Sequence, residues 1–340
     1  MESSVKIGRS KSRKLIKVSV RLVVSGLIVM LVFGLFFAGK LAVAYTRAQP
    51  FLLDPSENES SFGNTHHDPA SMSGAEARAL TVLCRYDSPY QWSAAEALAA
   101  GMRAGNKDAD QGIGKCLSSS EAPFPMLCTE SKYYGGYGQL EGLITTYTDH
   151  FDTVPAEHRL LLENCLDAMM RLTGNDLGND PQAWSDWYAE NRNQPRSELL
   201  IQAFRNAGFG IKNLGPSDKS VLVEIVRKGR WHHRTTALEI LTEIDPAFAL
   251  DTFLRHVMFG ERESATVYRH FIHILPKRPS STWLPVLKDW MTKVPENQVH
   301  HMAFISAELL GDQVREHRLF EMEKDGEEAR KEWLDILDDM

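Results

Sequence analysis

The chain has 340 residues, 43% of them hydrophobic and 24% charged, which is globular composition with length enough for one large or two ordinary domains. Its formal net charge of −7 hides an asymmetry: with the eight basic residues up to Lys40 and the lone Glu2 set aside, 30 basic face 44 acidic residues, a formal −14. So acidic a body excludes free nucleic acid as a partner, because phosphate binding needs a cationic footprint.

Residues 1–21 carry Lys6, Arg9, Lys11, Arg13, Lys14, Lys17 and Arg21 and form a basic head. Leu22 to Gly39 then runs 18 residues without a charge, about 27 Å as a helix and just enough to cross a bilayer core. With Lys40 at the headgroups and apolar residues to Tyr45, positions 22–45 read as a single-pass signal anchor. The positive-inside rule keeps the N-terminus cytoplasmic and exports the bulk of the chain across the inner or plasma membrane. The alternative is a cleaved signal peptide, since Ala42-Val43-Ala44 has the small-x-small form of a processing site.

Residues 46–74 are rich in proline and small polar residues and read as a flexible tether. The exported body spans 75–340. It begins with two helical patterns between Ala75 and Arg103, broken at Asp87-Ser88-Pro89. Residues 106–151 follow as an irregular insert holding YYGGYG at Tyr133 to Gly138, which reads either as aromatic faces for a ligand or as a flexible turn. Cys84, Cys116, Cys128 and Cys165 all lie on the exported side, an even count that predicts disulfides in an oxidising compartment. Cys116 with Cys128, across CLSSSEAPFPMLC, is the favoured pair of the three possible connectivities; four buried thiols are the alternative.

The C-terminal half is regular. Val221, Leu222, Ile225 and Val226 share one helical face that ends at Gly229, and Ala237, Leu238, Leu241 and Ile244 share the next, ending at Asp245-Pro246. Further pairs begin near 246 and 281, and Trp333, Leu334 and Leu337 keep helical spacing within an acidic terminal cap. Hairpins of this size cannot bury both apolar faces alone, so they must stack into an α-solenoid.

The segment LTGNDLGNDPQAWSDW joins these halves. Leu172, Thr173, Gly174, Asp176, Leu177, Gly178, Asp180, Pro181, Trp184 and Trp187 resemble an element that recurs in bacterial HEAT-repeat proteins. The resemblance implies a HEAT-like α-solenoid, so the expected fold is all-α: the N-terminal transmembrane helix read above, followed by an exported HEAT-like α-solenoid. The residues argue for a structural joint as well. Gly174 suits a left-handed helix end, Asp180 a cap, Pro181 the first turn, and Trp184 and Trp187 share a face. Calcium is the competing reading of Asp176, Asn179 and Asp180, but the ligand series of an EF-hand is missing.

No nucleophile elbow, phosphate loop or dinucleotide motif occurs, so no catalytic residue and no cofactor is expected. His232-His233, His270 with His273, and His300-His301 lack metal-site spacing and read as surface or packing histidines. The binding surface is expected at RKGRWHHR, where Arg227, Lys228, Arg230 and Arg234, with Trp231, would form a cationic ridge at a hairpin turn; a solvated helix end is its plain alternative. The function expected is therefore a membrane-anchored envelope scaffold that binds a protein or an anionic envelope polymer. An envelope enzyme with Tyr133, Tyr137, Asp149, His150 and Asp152 of the insert around one pocket is the alternative.

Overall fold

A computed structural model describes residues 40–49, 52, 68–85, 90–118, 124–154, 159–259, 265–274, 280–310 and 326–340, and among them every regular element is helical. The all-α class follows. The basic head and the apolar run up to Gly39 lie outside the described residues, as does most of the segment read as a tether; among the described residues no helix is long and apolar enough to cross a membrane.

Residues 40–48 form a helix, α1, whose Ala44 and Ala48 are buried, with Leu52 buried just beyond it. The Tyr45 ring lies 4.7 Å from that of Tyr90. The tether reading fails at both ends, because α1 runs past residue 45 and Met72 is buried before α2 (Gly74–Arg85) begins. Asn106 holds that entry by donating to the Met72 carbonyl at 2.6 Å.

The insert is not irregular either. After α3 (Gln91–Arg103), its residues form α4 (Lys107–Leu117), α5 (Phe124–Tyr134) and α6 (Leu140–His150). Asn106 caps α4 by accepting from the Asp108 and Ala109 amides. Its glycines weaken helix propensity but permit close packing: a Cβ on Gly112 would stand 2.6 Å from the Thr81 hydroxyl, and one on Gly142 would strike the Gly114 carbonyl. Close approach of neighbouring helices therefore overrides propensity here. Asp110 then pins the Gly/Tyr turn, accepting from the Gly136 amide and the Gln139 side chain, each at 2.7 Å.

Helices α7 (Arg159–Thr173), α8 (Pro181–Asn191) and α9 (Arg196–Asn206) follow, then α10 (Lys219–Lys228), α11 (Trp231–Ile244) and α12 (Pro246–Phe253), which continues through a π turn at Leu254–Met258. The chain closes with α13 (Ala265–Ile274), α14 (Leu284–Lys293), α15 (Val299–Leu310) and α16 (Gly326–Asp339). Arg330 of α16 covers the end of α14 by donating to the Met291 and Val294 carbonyls, while Trp333 and Leu337 enter the core.

Two apolar cores result, one from Ala44 to Trp184 and one from Leu200 to Leu337. They meet where α11 packs on α7 and α13 on α5, and Trp231 touches both.

Candidate functional site

The 172–187 segment makes a tight corner. Gly174 has φ 70°, a left-handed conformation that other residues adopt at a cost, and a Cβ there would also press on Ala203 of α9. Gly178 turns back likewise, its amide donating to Asp176. Asp180 accepts from the Gln182 amide, with Pro181 in the first turn of α8. Trp184 is fully buried, its indole N–H donating to the Gly178 carbonyl at 2.9 Å and its ring meeting Trp187 edge-on at 6.3 Å. Tyr147 of α6 donates to the Asn179 carbonyl. Of the side chains suggestive of calcium, two are thus engaged by other groups of the chain at its surface: Asp180 as a cap, and Asp176 by the Gly178 amide and, at 2.6 Å, by Arg230.

That last ion pair brings the corner to the α10–α11 turn, and between them lies an open cleft of about 470 Å³. Its wall includes Asp176, Asn206, Phe209, Lys228, Arg230 and His232. Arg230 is the N-cap residue of α11 and makes no side-chain cap bond, so it leaves the first amides of that helix without a side-chain acceptor from the cap position. His233 donates from Nε2 to the Gly174 carbonyl at 2.9 Å, which sets its tautomer. Neither ring nitrogen of His232 has a hydrogen-bond partner although the residue is 1% exposed. Burial, then repulsion from His233, pushes the His232 imidazole down to about 3, and burial lowers His233 as well.

The expected ridge therefore changes shape. Arg227, Lys228 and Arg230 are exposed, with Lys228 paired to Glu224 on its own helix. Arg234 is not part of it: one turn into α11 it is buried, donating to the Val226 carbonyl at 2.7 Å and to His256 in the π turn at 3.0 Å. There the guanidinium satisfies carbonyls left over by a helix end and by a π turn. Trp231 is half-buried, stacked on His270 with centroids 5.7 Å apart. The two histidines of the 232–233 pair do not diverge across the helix, since their rings lie 4.2 Å apart.

A second, larger cleft of about 560 Å³ opens beyond the middle of α11. Glu239 there receives Arg171 of α7 at 2.6 Å and Arg196 of α9 at 3.2 Å. Arg171 also donates to the carbonyls of Ser131, Lys132 and Gly135 at the end of α5, so one side chain ties α5 and α7 to α11. Sequence reasoning passed over this triad. The available signal was a charged residue inside an apolar helical run, at Arg171 between Met170 and Leu172 and at Glu239 between Leu238 and Ile240.

Of the residues proposed for an enzyme site, Tyr133 lines the larger cleft, and Tyr137 lies under Arg196 at 6.0 Å. Asp149, His150 and Asp152 sit at the far end of α6, with both aspartates exposed, so the five do not gather. Among the described residues no three His, Cys, Asp or Glu side chains converge as metal ligands.

The disulfide is also placed differently. Cys128 of α5 bonds to Cys165 of α7, their Cα atoms 5.1 Å apart, because those two helices pack along their lengths. Cys116 points instead toward α2. Compared with known proteins, the chain matches no family model, no curated protein and no solved structure.

Proposed function

We propose that this chain is a membrane-anchored scaffold of the cell envelope, whose exported helical body is a HEAT-like stack of hairpins and binds an anionic partner at the smaller cleft. Contacts running along the chain support the stack: α10 packs on α11, α11 on α12 and α13, α13 on α15, and α14 on α15 and α16. Export and anchoring rest on the basic head and the 18-residue uncharged run. A retained anchor is favoured over cleavage after Ala44, because Ala44 and Ala48 belong to the core and a cut there would remove part of α1.

The observation that carries the binding site is the meeting of the 174–176 corner with the α10–α11 turn, around a cleft rimmed by Lys228 and Arg230. The Arg230 side chain is 69% exposed, so its charge reaches solvent. An acidic protein segment or an anionic envelope polymer meets this rim by salt-sensitive attraction.

The test places a photo-crosslinking residue at Arg227 in intact cells, with and without Arg230→Glu. A crosslinked product that protease destroys and a polysaccharide hydrolase leaves identifies protein; the reverse identifies polymer. The reading requires that the product fall several-fold with Arg230→Glu while thermal unfolding stays near the parent's. An unchanged yield at low and high salt would place binding elsewhere.

A further inference from the structure

The two cysteines outside the Cys128–Cys165 bridge are not scattered. Cys84 and Cys116 stand as free thiols in the structure, both fully buried in the first core, on helices α2 and α4, which pack directly on each other. The register of that packing is set by small residues. Gly112 faces Thr81 so closely that an added Cβ would stand 2.6 Å from its hydroxyl and 3.7 Å from the Ala77 carbonyl. One turn further along each helix, 112 leads to Cys116 and 81 leads to Cys84. The Cys116 sulfur lies 3.9 Å from the Thr81 carbonyl of α2, three residues before Cys84 in the sequence. In this register Cys84 and Cys116 take corresponding positions on two directly packed helices, the placement from which an inter-helix disulfide can form.

We infer that Cys84 and Cys116 are joined by a second disulfide that staples α2 to α4. It rests on the export reading above, because a cystine persists only in an oxidising compartment. The reaction is thiol–disulfide exchange with an oxidised protein disulfide of that compartment. One cysteine, as thiolate, attacks a sulfur of the oxidant, forming a mixed disulfide and expelling the oxidant's second sulfur as a thiolate, which is protonated. The other cysteine, having lost its proton, attacks the mixed disulfide at the first cysteine's sulfur. The Cys84–Cys116 bond forms, and the oxidant leaves as a dithiol carrying the two electrons. Exchange occurs before α2 and α4 close. Once they have packed, burial raises the Cys116 thiol and leaves little thiolate to attack.

The experiment takes the full chain from cells, unfolds it in denaturant with iodoacetamide and no reductant, and maps the digest by mass. Denaturant is required because both thiols are fully buried. The expected result is a Cys84–Cys116 peptide pair, about 2 Da lighter than its two reduced halves, at the same yield as the Cys128–Cys165 pair. It should persist in Cys128→Ser, where Cys165 alone becomes alkylated. Alkylated Cys84 and Cys116 beside an intact Cys128–Cys165 bridge overturn this inference and leave export standing. Four alkylated cysteines overturn both. A Cys116–Cys128 or Cys84–Cys165 linkage in the parent protein also overturns it.

Discussion

Arg171 and Arg196 carry the same charge to the same carboxylate, so replacing each with Met isolates what burial adds. Arg171 is 4% exposed and donates to three carbonyls at the end of α5 besides Glu239. Arg171→Met keeps the aliphatic bulk, deletes four acceptors' partner and leaves Glu239 only Arg196. Each buried acceptor left without a donor costs about 1 to 3 kcal/mol, and loss of one partner of a buried pair about 3 to 5 kcal/mol. Gly135 and Glu239 line the neighbouring open cleft, where water can replace the lost guanidinium, so the total expected is about 4 kcal/mol rather than the sum. Arg196 is 31% exposed and gives one bond to Glu239 and one to the Leu172 carbonyl. Its replacement should cost about 1 kcal/mol or less, and less still in high salt. Urea unfolding of the full chain in detergent, followed by tryptophan fluorescence, reads both as shifts of the midpoint at constant slope. Equal shifts for the two variants, or a salt-sensitive shift for Arg171→Met, would refute the reasoning.

The same unfolding assay reads the corner, where Trp184→Ala should cost about 3 to 5 kcal/mol for a fully buried ring; a loss under about 1 kcal/mol would mean the ring does not hold α8 in place. Arg234→Ala should destabilise by roughly 1.5 to 3 kcal/mol through its two carbonyl bonds, whereas exposed Arg227→Ala should change stability little; similar losses would restore both to one solvated ridge. For His232 the unfolded imidazole takes up its proton near 6.5 while the folded one resists it down to about 3, so its contribution to stability is complete above that window and is lost as pH falls through it. The parent should lose up to about 1.4 kcal/mol more per pH unit than His232→Phe in that window, and parallel stability–pH curves for the two would contradict a buried neutral ring.

Much of the fold was legible because its signals are local. The runs ending at Gly229 and Asp245-Pro246 correspond to α10 and α11, since helical periodicity and end residues act within a few positions. The corner was legible for the same reason: a left-handed Gly174, the Asp180 cap and Pro181 need no distant partner. The misreadings share one cause. Residues 106–151 looked irregular because glycine lowers helix propensity wherever it stands, while the closeness of Thr81 to Gly112 and of Gly114 to Gly142 exists only after α2, α4 and α6 have packed. Arg234 looked solvated because it stands close to a hairpin turn in a basic run with Arg227, Lys228 and Arg230, yet the carbonyls that draw it inward belong to α10 and to a π turn 22 residues away.

By itself, then, the sequence determined the all-helical class, the helices of the C-terminal half, the corner at 174–187 and the charge asymmetry between head and body, all properties of neighbours along the chain. Tertiary structure alone decided which cysteines pair, which cations are buried, and that Asp176 meets Arg230 beside His232 across 54 residues of chain. The physical reason is that a helix specifies the face on which a side chain stands, whereas the partner on that face is set by the packing of helices brought together from distant parts of the chain.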